Sequence, residues 1–143
     1  MTGIEKIEHQ GEMLALIVRA GFSQPGITFF TPDELSQQLA YMQHPPGTVI
    51  DAHVHNPAPR TVTYTQETLL IRRGRLRVHF FDDRQIYLES RELTAGDVIL
   101  LIKGGHGFEV LEELEMFEVK QGPYSGDGDK TRFEGRIPAL RLR

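Results

Sequence analysis

The stretch GTVIDAHVH, from Gly47 to His55, places two histidines one residue apart at the end of a largely apolar, β-branched run. Residues of this kind favour strands, so the run predicts a β-strand. Because side chains alternate across a strand, His53 and His55 are expected to point to one face, together with Val49 and Asp51. Two imidazoles on one face are a suitable pair of ligands for a single metal ion.

The chain that follows this stretch predicts an all-β fold. Short β-rich runs alternate with turn signals, and no further helix-length apolar stripe is present. Strands at such close spacing favour an antiparallel sandwich or barrel. The predicted turns are Arg73-Gly74, Asp82-Asp83, Ala95-Gly96 and Gly104-Gly105.

Ahead of the histidine run, the sequence predicts one strand and one short helix. The apolar run MLALIV, Met13 to Val18, is a candidate buried strand. The stretch from Thr31 to Gln43 combines a capping box, a proline at the first helical position and an apolar stripe, which together predict an amphipathic helix. These signals come from Thr31, Pro32, Glu34, Leu35, Leu39 and Met42.

The bulk composition predicts a single globular domain. Of the 143 residues, 39% are hydrophobic and 25% are charged, which suits one core and is too little for two. We therefore treat 1–143 as one domain, with a strand and helix in 1–46, a barrel in 47–124 and a loop and tail in 125–143. The net charge of −4, without clustered lysine and arginine, argues against a nucleic-acid partner.

Cysteine content and hydropathy narrow the setting further. The chain has no cysteine, so a bound metal would need nitrogen and oxygen ligands. Its longest apolar run is far shorter than a membrane span, and no cationic leader precedes that run. We therefore expect no membrane association and a cytoplasmic location.

Two more residues are candidates to complete an ion site with the histidine pair. Glu67 lies 12 residues after His55, and a reversal of the chain around Pro57 and Pro59 would let it face the imidazoles. His106 is flanked by glycines that permit the backbone to aim its ring inward. Three imidazoles and one carboxylate suit a divalent iron, manganese, nickel, copper or zinc ion.

These residues resemble the first motif of the cupin family, G-x5-H-x-H followed by E-x6-G. Gly47, His53 and His55 match its first half, and Glu67 with Gly74 matches its second half. The spacer between the halves is 11 residues, longer than is usual in the family. It predicts a long loop, NPAPRTVTYTQ, that reaches over the mouth of the barrel.

The second cupin motif, G-x5-P-x-G-x2-H-x3-N, is matched in part. Gly96 and Gly104 are in place, Ile102 stands at the proline position, and His106 falls one residue early. The resemblance implies a small jelly-roll barrel, also called a double-stranded β-helix, with one divalent metal inside. The implied ligands are His53, His55, Glu67 and His106.

The resemblance also implies a homodimer, and the predicted strand offers a physical reason for one. Ile50, Ala52 and Val54 would face away from the histidines, so the strand is apolar on both faces and needs cover from a sheet or a second subunit. The amino-terminal strand is a candidate for that cover, within the chain or by exchange. The sequence around the two motifs also resembles that of small bacterial cupins associated with sugar-nucleotide and polysaccharide pathways. This resemblance suggests a role in carbohydrate metabolism.

The function we expect is that of a small-molecule enzyme. A metal ion acting as Lewis acid on a sugar or hydroxy-carbonyl substrate, beside a base, would give isomerisation or epimerisation; iron with oxygen would give a dioxygenase. Tyr64 and Glu118 are the candidate catalytic residues, and Arg60 and Lys120 are further polar candidates at the mouth. Simple burial, however, predicts that Glu118 and Lys120 face outward.

Two other functions remain open from the sequence. One is a non-catalytic cupin that captures a small molecule or a metal and acts through a partner. The other is a metal-independent sugar-nucleotide isomerase or epimerase, with a histidine as base and a tyrosine as acid. A convergence of polar side chains at the mouth would favour an enzyme, whereas an aliphatic pocket would favour a binding protein. His79 reads as a surface histidine.

Overall fold

The computed structural model describes residues 2–138, and within that range the chain is almost entirely strand and loop. A single 3₁₀ turn, Gly126–Asp129, is the one helical element there, and no helix in the described range is long and apolar enough to cross a membrane. The all-β prediction is confirmed. The strands are β1 Ile4–His9, β2 Glu12–Val18, β3 Gly26–Phe29, β4 Ala40–Gln43, β5 Glu67–Phe81, β6 Tyr87–Thr94, β7 Val98–Leu101 and β8 Gly105–Lys120.

The chain forms two compact units. Residues 23–63 form one of them, which we call the hairpin unit because it contains the antiparallel β3–β4 hairpin. Residues 2–22 and 64–138 form the other, the sheet unit. In the sheet unit, β1, β2, β7, β5 and β6 follow one another in a six-stranded sheet, and β8 pairs with β5.

The long strand β5 organises the sheet unit. Its first part pairs with β7, its second part pairs with β6, and its whole length pairs with β8. The turn predicted at Arg73-Gly74 is wrong, because the strand continues through Gly74 with shifts in the β5–β8 register. Gly74 has a φ of 94°, and a Cβ at this position would lie 2.0 Å from the carbonyl oxygen of Glu113. Only glycine permits this bend, which helps the sheet to curl into a half-barrel.

The two faces of β5 have different roles. One face contributes Leu69, Ile71, Leu76, Val78 and Phe80 to a core that also includes β2 and β7. Beside it, arginines of β5 form exposed ion pairs with glutamates of β6 and β8. Each exposed pair adds little stability, but the opposite charges favour one strand register over others. The arginines are Arg72, Arg73, Arg75 and Arg77, and the glutamates are Glu92, Glu109, Glu112, Glu113 and Glu115.

Several local predictions are confirmed in the sheet unit. The apolar run starting at Met13 lies in β2. The turn after β5 is closed by Asp82, whose Oδ1 accepts hydrogen bonds from the backbone N–H groups of Arg84 and Ile86. The turn at Ala95-Gly96 is closed by the buried Asp97, which accepts from the N–H of Thr94. These turns form as predicted because their signals are local.

The helix predicted from Thr31 to Gln43 does not form; residues 31–39 are instead in the loop of the β3–β4 hairpin, and Ala40–Gln43 is strand β4. The Thr31 hydroxyl, expected to cap a helix, donates to the side chain of Gln38 and accepts from the N–H of Leu39. The Gln38 amide donates to the carbonyl oxygens of Pro32 and Leu35. Side-chain hydrogen bonds thus satisfy backbone groups that a helix would have paired internally.

The strand predicted from Gly47 to His55 is also wrong. Residues 44–63, which we call the arm, contain no strand. Val49 is 82% exposed and Val54 is 86% exposed, values far from those of a buried strand. A β-branched run becomes a strand only when it pairs with a neighbour, and no such pairing is formed by this run within residues 2–138.

Candidate functional site

A group of ionisable side chains lies on the inner face of the sheet unit, where β5 begins and β8 ends. We call Glu67, His106, Glu118 and Lys120 the rim cluster. Glu67 is the first residue of β5 and is 8% exposed. Its Oε2 atom lies 3.7 Å from Nε2 of His106. Two of the four predicted metal ligands are therefore brought together within one unit.

The curl of the sheet explains this proximity. In the β5–β8 register, Glu67 is opposite Lys120 and His106 is opposite Phe80. Glu67 and Phe80 are 13 residues apart along β5, which would be about 40 Å in a straight strand. Strand β7 closes that distance because Leu101 pairs with Glu67, and a short link then leads directly into β8. The two ends of the β5–β8 pair consequently meet at the rim cluster.

The orientation of Glu118 and Lys120 corrects the outward placement expected from burial. Glu118 is opposite the fully buried Leu69, and Lys120 is opposite Glu67, so both charges share the inner face. Their Oε2 and Nζ atoms are 3.7 Å apart. The alternate residues, Phe117 and Val119, lie on the other face and are more than half exposed. The inner face therefore carries the carboxylate of Glu118 and the ammonium group of Lys120, where Phe117 and Val119 were expected.

The electrostatics of the cluster depend on burial and on its own charges. Burial raises the pKa of Glu67, and the neighbouring Glu118 carboxylate, which shares a hydrogen bond with it, raises it further. Lys120 and Lys130 act in the opposite direction. Desolvation lowers the pKa of His106, although about a third of its side chain is exposed. Burial therefore favours the neutral forms of both Glu67 and His106.

The other two predicted ligands lie in the arm. His53 and His55 are exposed, with ring centroids 5.2 Å apart. The Nδ1 atom of His53 lies 2.9 Å from the carbonyl oxygen of Asp51, so Nδ1 carries a proton and donates to that oxygen. Among residues 2–138, no group of three or more histidine or acidic side chains is arranged to hold a metal. The four-ligand set stays a prediction.

The remaining predicted residues occupy different surroundings. Tyr64 is 55% exposed, and its ring centroid lies 5.9 Å from Nζ of Lys103. That ammonium forms an ion pair with Glu12 at 2.7 Å. Arg60 is an exposed residue of the arm. Of the polar candidates at the mouth, the structure thus groups Glu118 and Lys120 with Glu67 and His106.

A buried polar network around His79 was not predicted. His79 is 6% exposed, which overturns its interpretation as a surface residue. Its Nδ1 lies 2.6 Å from Oγ of Ser90, which lies 2.7 Å from the hydroxyl of Tyr87, and its Nε2 lies 3.3 Å from Glu109. Because Glu109 is an acceptor when ionised, Nε2 carries the proton. The neighbouring arginines indicated an exposed face of the strand, and no local sequence signal indicates that His79 is buried.

The chain after β8 contacts both the rim and the last residue of β5. Asp129 accepts a hydrogen bond from the Thr65 hydroxyl at 3.0 Å, and Lys130 contributes to the electrostatics of Glu67 and His106. Phe133 packs edge-on against the buried Phe81, with ring centroids 5.1 Å apart. The segment from 125 to 135 therefore borders the rim cluster and covers part of the sheet.

The fold and the site together define an all-β protein with a curled antiparallel half-barrel and an acid–base cluster on its inner face. No protein-family profile, curated protein or solved structure matches the chain.

Proposed function

We propose that this protein is a metal-dependent, cupin-type enzyme of the isomerase or epimerase class. One divalent ion would bind to His53, His55, Glu67 and His106 inside a jelly-roll barrel. The substrate would be a sugar or another small hydroxy-carbonyl compound, and the reaction would remove and return a carbon-bound proton.

The observation that carries the proposal is the 3.7 Å distance between Glu67 and His106. These residues come from two motifs that are 39 positions apart in sequence. Metal–oxygen and metal–nitrogen bonds are each about 2.0–2.2 Å long, so two donors at this separation fit around one ion. A divalent cation would also favour the ionised form of Glu67, which burial disfavours.

The polar neighbours of this pair favour proton transfer over mere capture of a ligand. A bound divalent ion would supply Lewis-acid polarisation of a substrate carbonyl. The Glu118 carboxylate would take the proton from the hydroxyl-bearing carbon beside that carbonyl. In an isomerisation it would return this proton to the former carbonyl carbon while the hydroxyl proton passes to the carbonyl oxygen; in an epimerisation it would return the proton to the opposite face of the same carbon. The Lys120 ammonium, 3.7 Å from Glu118, would position the carboxylate and attract a negatively charged substrate.

The metal is tested first, by plasma mass spectrometry on tag-free protein after incubation with iron, manganese, nickel and zinc. We expect about one ion per chain in the wild type and less than about a tenth of that in His53→Ala/His55→Ala and in Glu67→Gln. His44→Ala, in the hairpin unit but outside the predicted set, is the matched control and should retain the ion. A wild type that stays empty with every metal would overturn the proposal.

The reaction class is tested by exchange of carbon-bound hydrogen for deuterium in D₂O, followed by NMR across a panel of aldoses, ketoses and sugar nucleotides. We expect Glu118→Gln to slow exchange by about 100-fold or more at unchanged metal content. Glu112→Gln, an exposed glutamate of the same strand, is the control. Equal exchange rates in wild type and Glu118→Gln would exclude Glu118 as the base.

A further inference from the structure

A hydroxyl, an imidazole and a carboxylate form a row on the outer face of the sheet unit, opposite the rim cluster. Val78 and Phe80 of β5 face the core, so alternation puts His79 on the other face. Its Nδ1 lies 2.6 Å from Oγ of Ser90 on β6, and its Nε2 lies 3.3 Å from Oε2 of Glu109 on β8. Three strands therefore bring together the side chains of a serine nucleophile, its base and an orienting acid.

The positions of the protons in this row suit transfer from the serine to the histidine. Glu109 also accepts a hydrogen bond from the Arg77 guanidinium at 3.2 Å, and a carboxylate in such an ion pair is an acceptor only. The proton of the neutral imidazole is therefore on Nε2, and the lone pair of Nδ1 accepts the hydroxyl of Ser90. After the transfer, the Glu109 carboxylate would stabilise the imidazolium ion.

Ser90 lies on a strand at the edge of the sheet. Within residues 2–138, β6 pairs with β5 alone. The carbonyl oxygen of Ser90 accepts a hydrogen bond from the Arg91 side chain at 3.3 Å. The carbonyl oxygen of Glu92, two residues on, accepts one from the Arg19 side chain at 2.6 Å. These bonds indicate that the main-chain groups of Ser90 point to the free side of β6, where its N–H could bind the carbonyl oxygen of a substrate.

We propose that this row is a second active site, which hydrolyses small carboxylic esters with Ser90 as the nucleophile and His79 as the base. The Ser90 oxygen bonds to the acyl carbon while its proton passes to Nδ1 of His79, and the leaving alcohol oxygen takes that proton as the ester C–O bond breaks. Water then attacks the acyl carbon and gives a proton to His79. The bond to Ser90 breaks, the carboxylic acid leaves, and His79 returns the proton to the serine oxygen. Glu109 is the positioning residue.

The side chains beside Ser90 favour a short acyl group. The Tyr87 hydroxyl lies 2.7 Å from Oγ of Ser90, and since the serine proton is directed to His79, the tyrosine is the donor. The Tyr87 ring packs edge-on against Phe81, with centroids 5.9 Å apart. Both rings are almost fully buried, at 5% and 2% exposed, so little apolar surface is left there for a long acyl chain.

Labelling with diisopropyl fluorophosphate tests the nucleophile, because this reagent reacts with serines that a neighbouring base activates. The whole chain, folded and kept metal-free with EDTA, is treated with the reagent, digested and mapped by mass spectrometry. We expect the label on Ser90, whereas Ser125, an exposed serine, serves as the internal control. A folded wild type that takes no label, or takes it equally on Ser125, overturns the proposal. Because no metal is present, this result is independent of the proposed function.

Turnover of p-nitrophenyl acetate tests the base and the positioning residue. We expect Ser90→Ala to abolish acetylation at this position, and His79→Gln to slow labelling and turnover by about 100-fold. Glu109→Gln should lower kcat by about 10-fold at unchanged KM, since the carboxylate does not contact the ester. Glu112→Gln, an exposed glutamate of the same strand, is the control. Urea unfolding checks that each variant is folded. Wild-type rates in folded His79→Gln, or in Glu109→Gln if the former does not fold, would overturn the proposal.

Discussion

Two regions of the molecule share some residue types but differ in whether they form paired strands. The β5–β8 pair and the arm both contain β-branched and aliphatic residues, but β5 and β8 pair along their length and the arm contains no strand. The difference lies in the partners. Arginines on β5 face glutamates on β8, and Gly74 allows both strands to bend together. The comparison teaches that strand propensity becomes a strand only where an edge and a register are supplied.

The substitution with the largest expected loss of stability is at the bend in β5. We expect Gly74→Ala to lower the free energy of unfolding by about 4 kcal/mol, because its Cβ would meet the Glu113 carbonyl at 2.0 Å while the backbone keeps a φ of 94°. Gly11→Ala is the control: its φ is 77°, but its Cβ would meet nothing within 4 Å. Urea unfolding measures both, and the control should lose only about 1 kcal/mol. Equal losses would show that backbone strain alone, without the clash, explains the requirement for glycine.

A pair of truncations compares the two regions directly. Leu76 is fully buried on β5, so Leu76→Ala should lower the unfolding free energy by about 3 kcal/mol. Val54 is 86% exposed in the arm, so Val54→Ala should cost less than about 0.5 kcal/mol in dilute protein. Chemical denaturation at several protein concentrations provides the measurement. A large, concentration-independent effect of Val54→Ala would contradict the exposed arm.

An effect smaller than that of Leu76→Ala concerns the dependence of stability on pH. Hydrogen bonds from Arg19, at 2.6 and 3.0 Å, hold the pKa of Glu5 below its ordinary value, and Arg91 adds to this. Since the folded pKa is lower than the unfolded one, Glu5 stabilises the fold above the unfolded pKa and loses this effect as pH falls through the folded pKa.

Replacement of the same carboxylate tests this dependence. Glu5→Gln should lower the unfolding free energy by about 1 kcal/mol at pH 7, a value reduced because the pair is partly exposed. The difference from wild type should disappear as pH falls from about 5 toward 2. Thermal unfolding across this range measures it, with Glu34→Gln as the control. A difference that persists at low pH would assign the loss to packing.

The sequence was informative wherever the determining contacts are local. The turns at Asp82 and Ala95 and the strand after Met13 follow from side-chain to backbone bonds or from an apolar run, and they are confirmed. The expected helix failed because Gln38, seven residues from Thr31, competes for the same backbone groups. No local rule gives that distant preference.

The candidate site, too, was predictable from the sequence only in part. Glu67 and His106 were identified by their spacing to glycines, and the structure brings them together. The inward orientation of Glu118 was not predictable from alternation alone, because alternation leaves open which of two faces is inside. The curl of the sheet decides it: Glu118 is opposite the buried Leu69.

The segment that follows β8 contributes both to the surroundings of the rim cluster and to packing on the sheet. Asp129 and Lys130 border the rim cluster, while Phe133, three residues later, covers Phe81. An insertion here that reshaped access to the rim cluster would also displace an aromatic contact that stabilises the sheet. We therefore expect related chains to tolerate substitutions in this segment and to keep its length, because a change of length would affect the rim cluster and the stability of the sheet together.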